Sequence, residues 1–211
     1  MKNEQERMAE LWQEEERIKK EKGYQLIAGV DEAGRGPLAG PVYAAAVILP
    51  WHAQIPGIDD SKKLTEKKRE ALFDVIREQA ISYGIASVDE KTIDEINILN
   101  ASLFAMRLAV EQLSVPAEYI LIDGNQSKGM PEPCETLVKG DARSMNIAAA
   151  SILAKVARDR FMRKIAEEYP EYGFSKHKGY GTKAHYEAIQ KYGVLPIHRR
   201  SFLKKILGET K

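Results

Sequence analysis

From Gln25 to Pro50 the chain reads Gln-Leu-Ile-Ala-Gly-Val-Asp31-Glu32-Ala-Gly34-Arg35-Gly36-Pro37-Leu-Ala-Gly40-Pro41-Val-Tyr-Ala-Ala-Ala-Val-Ile-Leu-Pro50. Two short apolar runs flank two adjacent carboxylates and a glycine-rich turn with one arginine in its middle. Short apolar runs bounded by Gly and Pro predict buried strands joined by a tight connection. An ionised carboxylate is costly to bury unpaired, so a pair of them where a buried strand meets a loop is expected to meet a cation. Two other readings compete. A dinucleotide fingerprint needs a helix directly after its glycines, whereas here Pro37 and Pro41 bracket the turn and a strand-like run follows. A plain hairpin, with the glycines as turn formers and the acids as strand caps, stays open on this stretch alone.

The remaining composition limits the choice. A chain of 211 residues that is 44% hydrophobic and 30% charged suits one globular domain with appendages. Its net charge of +1 hides an asymmetry: between Gly173 and Lys205 there are eight Lys/Arg against one acid, Glu187, and three of the four histidines. A one-sided basic segment suits a polyanionic partner, although a run of charges is often only a solvated face. The single cysteine, Cys134, excludes an internal disulfide and a Cys-based zinc site and fits a reducing compartment. No apolar segment is long enough to span a membrane, and the charged start does not read as a signal peptide, so a cytoplasmic location is expected. No Gly-x-x-x-x-Gly-Lys-Ser/Thr or Gly-x-Ser-x-Gly occurs, which argues against a P-loop NTPase and an α/β-hydrolase.

In chain order, residues 3–22 predict one amphipathic helix ending near Gly23, with Met8, Leu11, Trp12 and Ile18 on its apolar stripe. It forms a segment of its own, 1–23, before a core expected over 24–170 and a basic helical segment over 171–211. After the first two strands, Trp51–Lys63 reads as a loop, and Thr65 caps a helix to about Gln79 with Leu72, Val75 and Ile76 facing inward. Ser61 and Lys62, just before that helix, can hold phosphate. Ile81–Val88 predicts a third strand whose Ile81, Tyr83 and Ile85 alternate toward the core. A short helix over 89–97 and a better one over 100–113 follow. The run Glu118–Asp123 again ends an apolar strand in a carboxylate followed by glycine. Ligands of open α/β sheets bind at the carboxyl ends of strands, so Asp31, Glu32 and Asp123 are expected to converge. Residues 135–139 predict a short strand leading to Asp141. Ser144 then caps an alanine-rich helix that stops before Pro170, with Lys155, Arg158 and Arg160 near one turn of it. In the basic segment Tyr180 lies between two glycines, close to Lys178. A stacking surface for a nucleotide and a ring packed under its own loop are both open there. Thr182 begins a helix to about Tyr192, and His198–Phe202 leads a last short one.

Four acids at loop ends, without a Cys/His cluster, make a hard oxygen site suited to Mg²⁺ or Mn²⁺. Two such ions can stabilise the attacking and leaving oxygens of a phosphodiester displacement. Beside a basic face, that arrangement suits a nuclease.

Six ordered motifs carry a resemblance: Gly29-Val-Asp31-Glu32-Ala-Gly34-Arg35-Gly36-Pro37, Asp60-Ser61-Lys62-Lys63-Leu64, Ile122-Asp123-Gly124, Lys139-Gly140-Asp141, Ala149-Ala-Ser151-Ile-Leu-Ala-Lys155-Val and His177-Lys178-Gly179-Tyr180-Gly181-Thr182. Together, from about Leu26 to Phe202, they resemble bacterial ribonuclease HII, the type 2 ribonuclease H. The resemblance implies an α/β fold with a ribonuclease H-like mixed five-stranded sheet flanked by helices and a helical C-terminal part. It implies cleavage of RNA in RNA/DNA duplexes, including single ribonucleotides in DNA, on the 5′ side of the ribonucleotide, leaving 3′-hydroxyl and 5′-phosphate ends. A role in excising misincorporated ribonucleotides follows. Asp31, Glu32, Asp123 and Asp141 match the family's metal-binding acids, Gly34-Arg35-Gly36 its 2′-hydroxyl-sensing turn, and Tyr180 the ring that stacks on the following deoxyribose. Ser61, Lys62, Lys155, Arg158 and Lys178 are further expected substrate contacts. Residues 1–22 lie outside the resemblance and read as the end of a longer extension. The chain is expected to be a monomer without a small-molecule cofactor. The rivals are a resolvase- or integrase-type nuclease of the same superfamily and a non-catalytic nucleic-acid-binding module.

Overall fold

The structure, a computed structural model, describes residues 3–208, without the side chains of 205–207. The outer ends of the expected terminal segments (1–2 and 209–211) and the side chain of Lys205 therefore lie outside the described residues. The apolar runs become strands, as expected. Strands β1 (Ile27–Ala33), β2 (Val42–Ile48) and β3 (Ser82–Val88) form an antiparallel meander, and β4 (Tyr119–Asp123) and β5 (Cys134–Leu137) add parallel to β1. The sheet order is β3-β2-β1-β4-β5. This mixed sheet places β1 in its centre, paired with β2 through Asp31 opposite Ala45 and with β4 through Val30 opposite Ile122. The ends of β1 and β4 that carry Asp31, Glu32 and Asp123 thereby lie side by side.

Helices cover both faces. On one lies α4 (Glu90–Glu111), packed on Val30, Ala44, Ala46, Ala86 and Ile122. Asn97 breaks it at φ 65°, and the Asn97 Oδ1 accepts from the N–H groups of Leu99 and Asn100. The two helices expected there are both present, meeting at this break with Asn97 capping the second. On the other face lie α3 (Glu66–Gln79), capped by Thr65, and α5 (Met145–Glu168), capped by Ser144. Inward residues of α3 are Leu72, Phe73 and Ile76, while Val75 is only half-buried.

Small residues let α5 approach closely. A Cβ on Gly29 would lie 2.2 Å from the α5 backbone at Asn146 and Ile147. Asn146 donates to the Ile27 carbonyl and accepts from the Leu49 N–H, tying α5 to β1 and to the chain beyond β2.

The strand β3 corrects its expected phase. Ser82, Gly84, Ala86 and Val88 are the buried row, Tyr83 and Ile85 are half-buried on the other face, and Ile81 is exposed and precedes the strand. The reason is packing: a Cβ on Gly84 would lie 2.1 Å from the Ala109 carbonyl oxygen, so α4 sits on the row of small residues. The C-terminal part, α6 (Phe174–His177), α7 (Lys183–Tyr192) and α8 (Arg200–Leu207), forms a third apolar cluster with Leu38, Met162 and Tyr172.

The single N-terminal helix expected is two, α1 (Glu4–Leu11) and α2 (Gln13–Lys22), broken at Trp12. Met8, Leu11 and Trp12 pack against Leu49, Ala53 and α5. Glu15 is fully buried in the same stripe, where its carboxylate accepts from Ser144 Oγ (2.6 Å) and Asn146 N–H (3.0 Å) at the start of α5. Among the described residues its second oxygen has no hydrogen-bond partner. Burial, then Glu14, push the Glu15 carboxyl up to about 7 from 4.5, against the opposing pull of those hydrogen bonds. An acid whose pKa is raised by folding contributes most below its unfolded pKa and loses that contribution as pH rises through the folded value. From about pH 5 to about pH 8 the native chain should therefore lose up to about 3 kcal/mol more stability than Glu15→Gln. Urea unfolding across that range checks this, and parallel profiles would exclude Glu15 as the source. No helix among the described residues is long and apolar enough to cross a membrane.

Candidate active site

Asp31 and Glu32 sit at the end of β1, Asp123 at the end of β4, and Asp141 in a 3-10 turn, Gly140–Ala142, that leads into α5. Alternation along β1 sends Asp31 toward α5, with Gly29, and Glu32 toward α4, with Val30. Asp31 and Asp141 are buried, Glu32 and Asp123 half-buried. Asp31 Oδ1 accepts from the Glu32 N–H at 2.7 Å, and Asp123 Oδ1 accepts from the Gly140 N–H at 2.6 Å, which fixes the Asp141 turn to the end of β4.

The four carboxylates feel one another. Burial first, then Glu32, Asp123 and Asp141, hold the Asp31 carboxyl well above the usual carboxylate range. Asp141 is raised by burial and by Asp123, with Lys62 opposing. Glu32 is raised by burial and by Asp123, with Arg35 opposing. Two cations of the chain answer this negative field: Lys62 Nζ at 3.3 Å from Asp141 and Arg35 at 3.5 Å from Glu32. Among the described residues no three His, Cys, Asp or Glu side chains close around a single point as a bound ion would hold them.

The glycine turn meets the acids and Tyr180. Gly34 has φ +97°, and a Cβ there would lie 2.1 Å from Arg158 Nε, so glycine is required twice over. A Cβ on Gly36 would lie 3.6 Å from Tyr180 Cε1, an ordinary contact. The Tyr180 ring is 43% exposed and stands 5.9 Å over the Arg158 guanidinium. It faces the turn rather than packing beneath its own loop.

Two fully buried arginines hold this arrangement. Arg158 donates to the carbonyls of Pro41, Ala39 and Lys178 at 3.0–3.1 Å. Arg199 donates to those of Gly40, Arg35 and Gly34 at 2.6–2.9 Å. Turn and Tyr180 loop are thus clamped from below. The expected substrate contact by Arg158 does not match its place: with no exposed surface and its donors on carbonyls, it supports the turn instead. Arg199 escaped attention because a basic run read by charge alone does not separate it from exposed Arg200. Glu15 had a usable signal, since it follows Met8 and Leu11 and precedes Ile18 at heptad spacing.

Other expected contacts are less available. Lys155 pairs with Asp159 at 2.7 Å. The Lys178 side chain is nearly buried, its ammonium on the Ser175 carbonyl. Ser61 is buried beside Lys62, whose own side chain is 77% exposed.

The ribonuclease HII family model matches residues 28–205. The chain belongs to the ribonuclease HII family. The ribonuclease HII of Acetivibrio thermocellus is 59% identical over 187 residues, 89% of this chain and 73% of that one. That of Caldicellulosiruptor saccharolyticus is 56% identical over 193 residues, 92% of this chain and 94% of that one. Among solved structures, ribonuclease H2 from Pyrococcus horikoshii superposes with a TM-score of 0.71 at 29% identity, covering 88% of this chain and 97% of that one. Bst-RNase HIII, solved in complex with Mn²⁺, shares the fold with a TM-score of 0.62 at 18% identity, covering 81% and 63%. The chain is thus a ribonuclease H type 2 enzyme, and the mixed sheet expected of ribonuclease HII is the one observed.

Proposed function

We propose that this ribonuclease HII cleaves RNA in RNA/DNA duplexes, including a single ribonucleotide embedded in DNA, on the 5′ side of the ribonucleotide, leaving 3′-hydroxyl and 5′-phosphate ends. The observation that carries the reading is the juxtaposition of four interacting carboxylates with a glycine turn that faces an exposed tyrosine ring. The donor set is four carboxylates without thiol or imidazole, which suits Mg²⁺ or Mn²⁺. Asp31, Glu32, Asp123 and Asp141 would hold two such ions, which supply an activated water and charge stabilisation at the scissile phosphate.

The chain's own groups do the rest. The backbone of Gly34–Gly36 can approach a ribose closely because no Cβ intervenes at Gly36, and the 2′-hydroxyl is what distinguishes RNA from DNA. Tyr180 offers a stacking face to the neighbouring sugar. Lys62, exposed and flexible, can exchange Asp141 for a phosphate. Excision of misincorporated ribonucleotides in the cytoplasm is the role this activity would serve.

The test uses a DNA duplex carrying one ribonucleotide beside its all-DNA twin, with Mg²⁺ and separately with Mn²⁺. Metal-dependent nicking 5′ to the ribonucleotide, with the twin untouched, is expected. Cutting of both duplexes would overturn the 2′-hydroxyl reading. Gly36→Ala should melt like the native chain, yet lose about 10–100-fold in cleavage at a lone ribonucleotide as the turn is pushed from the sugar. Unchanged cleavage would move sugar sensing away from Gly36.

A further inference from the structure

Three of the four histidines form one cluster under the Tyr180 loop, His185 and His198 buried and His177 half-buried, and nothing in the chemistry above uses them. The His177 and His185 rings stack at 4.6 Å, His185 and His198 lie 5.2 Å apart, and Phe174 packs edge-on against His185. His185 and His198 are buried, and burial first holds each ring's pKa down at about 4, so both are neutral at pH 7.

A neutral imidazole has one donor and one acceptor nitrogen, and here the backbone decides which is which. The Leu195 N–H donates to His198 Nδ1 at 2.9 Å. His198 Nδ1 is therefore bare, and its proton lies on Nε2. That Nε2 sits 3.1 Å from His185 Nε2, which must then accept. The His185 proton is thereby placed on Nδ1, 3.0 Å from the Tyr180 carbonyl oxygen. The relay runs in one direction, from a backbone N–H after α7, through two rings, to the carbonyl of the residue whose ring faces the glycine turn.

The other carbonyls of that loop have partners outside the relay. His177 O accepts from the Tyr180 N–H, Lys178 O from Arg158, and Gly179 O from the Leu38 N–H at 2.8 Å. Besides the Thr182 N–H two residues on, Tyr180 O has this ring as its one partner among the described residues. From this geometry we infer that His185 and His198 are positioning residues, which fix the Tyr180 peptide so that its ring stands against Gly36. The inference rests on the substrate reading above for its consequence in cleavage, but not for the relay itself.

Long-range proton–nitrogen spectra of the full ¹⁵N-labelled chain read the tautomers directly. His185 is expected as the Nδ1–H form and His198 as the Nε2–H form, and His185 found as Nε2–H would overturn the relay. His198→Phe removes the donor to His185 Nε2, so the ¹⁵N resonance of that nitrogen should move to the position of one that accepts no hydrogen bond, while Nδ1 keeps its proton on the Tyr180 carbonyl. An unmoved His185 signal would likewise overturn it. In cleavage of the duplex with one ribonucleotide, His185→Leu should lower kcat/KM by about tenfold or more, as loss of a stacking aromatic does. In the Tyr180→Ala background the same change should cost less than about twofold, because coupled residues are not additive. Fully multiplicative losses would overturn a role through Tyr180. His185→Asn, whose amide can stand in for Nδ1–H, should recover most of the rate. If His185→Leu does not fold, the spectra of His198→Phe and the Asn variant decide. A duplex that the native enzyme leaves uncut would refute the substrate reading alone.

Discussion

Arg199→Ala should lower unfolding stability by about 3–5 kcal/mol, among the largest effects of any single change in this chain. The side chain is fully buried and satisfies the carbonyls of Gly40, Arg35 and Gly34 at 2.8, 2.9 and 2.6 Å. Alanine strands three acceptors, each worth about 1–3 kcal/mol when left unpaired, and adds a cavity. Relief of the buried charge offsets part of this: burial, then Arg158, push the guanidinium down to about 9. Lysine should not rescue the variant, because one ammonium cannot replace the planar fork that reaches three carbonyls. Urea unfolding measures the loss. A loss under about 1 kcal/mol would mean that the glycine turn holds its shape locally and that the clamp is redundant.

Asp123→Asn should reduce cleavage by about a thousandfold or more, since transition-state charge stabilisation of several kcal/mol depends on the acids. The variant should remain folded. An amide oxygen can still accept from the Gly140 N–H, which the native Oδ1 receives at 2.6 Å, so the Asp141 turn keeps its tie to β4. The melting temperature should stay level or rise, because the charge of Asp123 raises the carboxyls of Asp31, Glu32 and Asp141. Affinity for the duplex should change little. Cleavage within tenfold of native would remove Asp123 from the ion-holding set.

The strands and the meeting of the acids were legible because the cues are local: apolar runs that end in Asp31 and Asp123, each followed within a few residues by glycine. Caps at Thr65, Ser144 and Thr182 were legible for the same reason. What escaped depends on tertiary partners. The phase of β3 is set by α4 lying on Gly84, and no alternation rule weighs a missing side chain against large ones. Arg158 and Arg199 look like solvated cations until the carbonyls of residues 34–41 curl around them. The break at Trp12 lies within a run of good helix formers, and only its packing on Trp51 and the core marks it.

The two halves of the site differ in when the chain supplies them. The acids, their strands and the turn that carries Asp141 are complete once residue 141 has been made, and α5 soon after covers them. The Gly34–Gly36 turn receives its carbonyl clamp from Arg199, 165 residues downstream of Gly34. During synthesis, when chains fold from the N-terminus onward, the charged centre can therefore assemble, with Arg158 already on the Ala39 and Pro41 carbonyls, while the Gly34 and Arg35 carbonyls of the sugar-facing turn still lack their clamp. The element proposed to distinguish ribose from deoxyribose is the last part of the enzyme to lock.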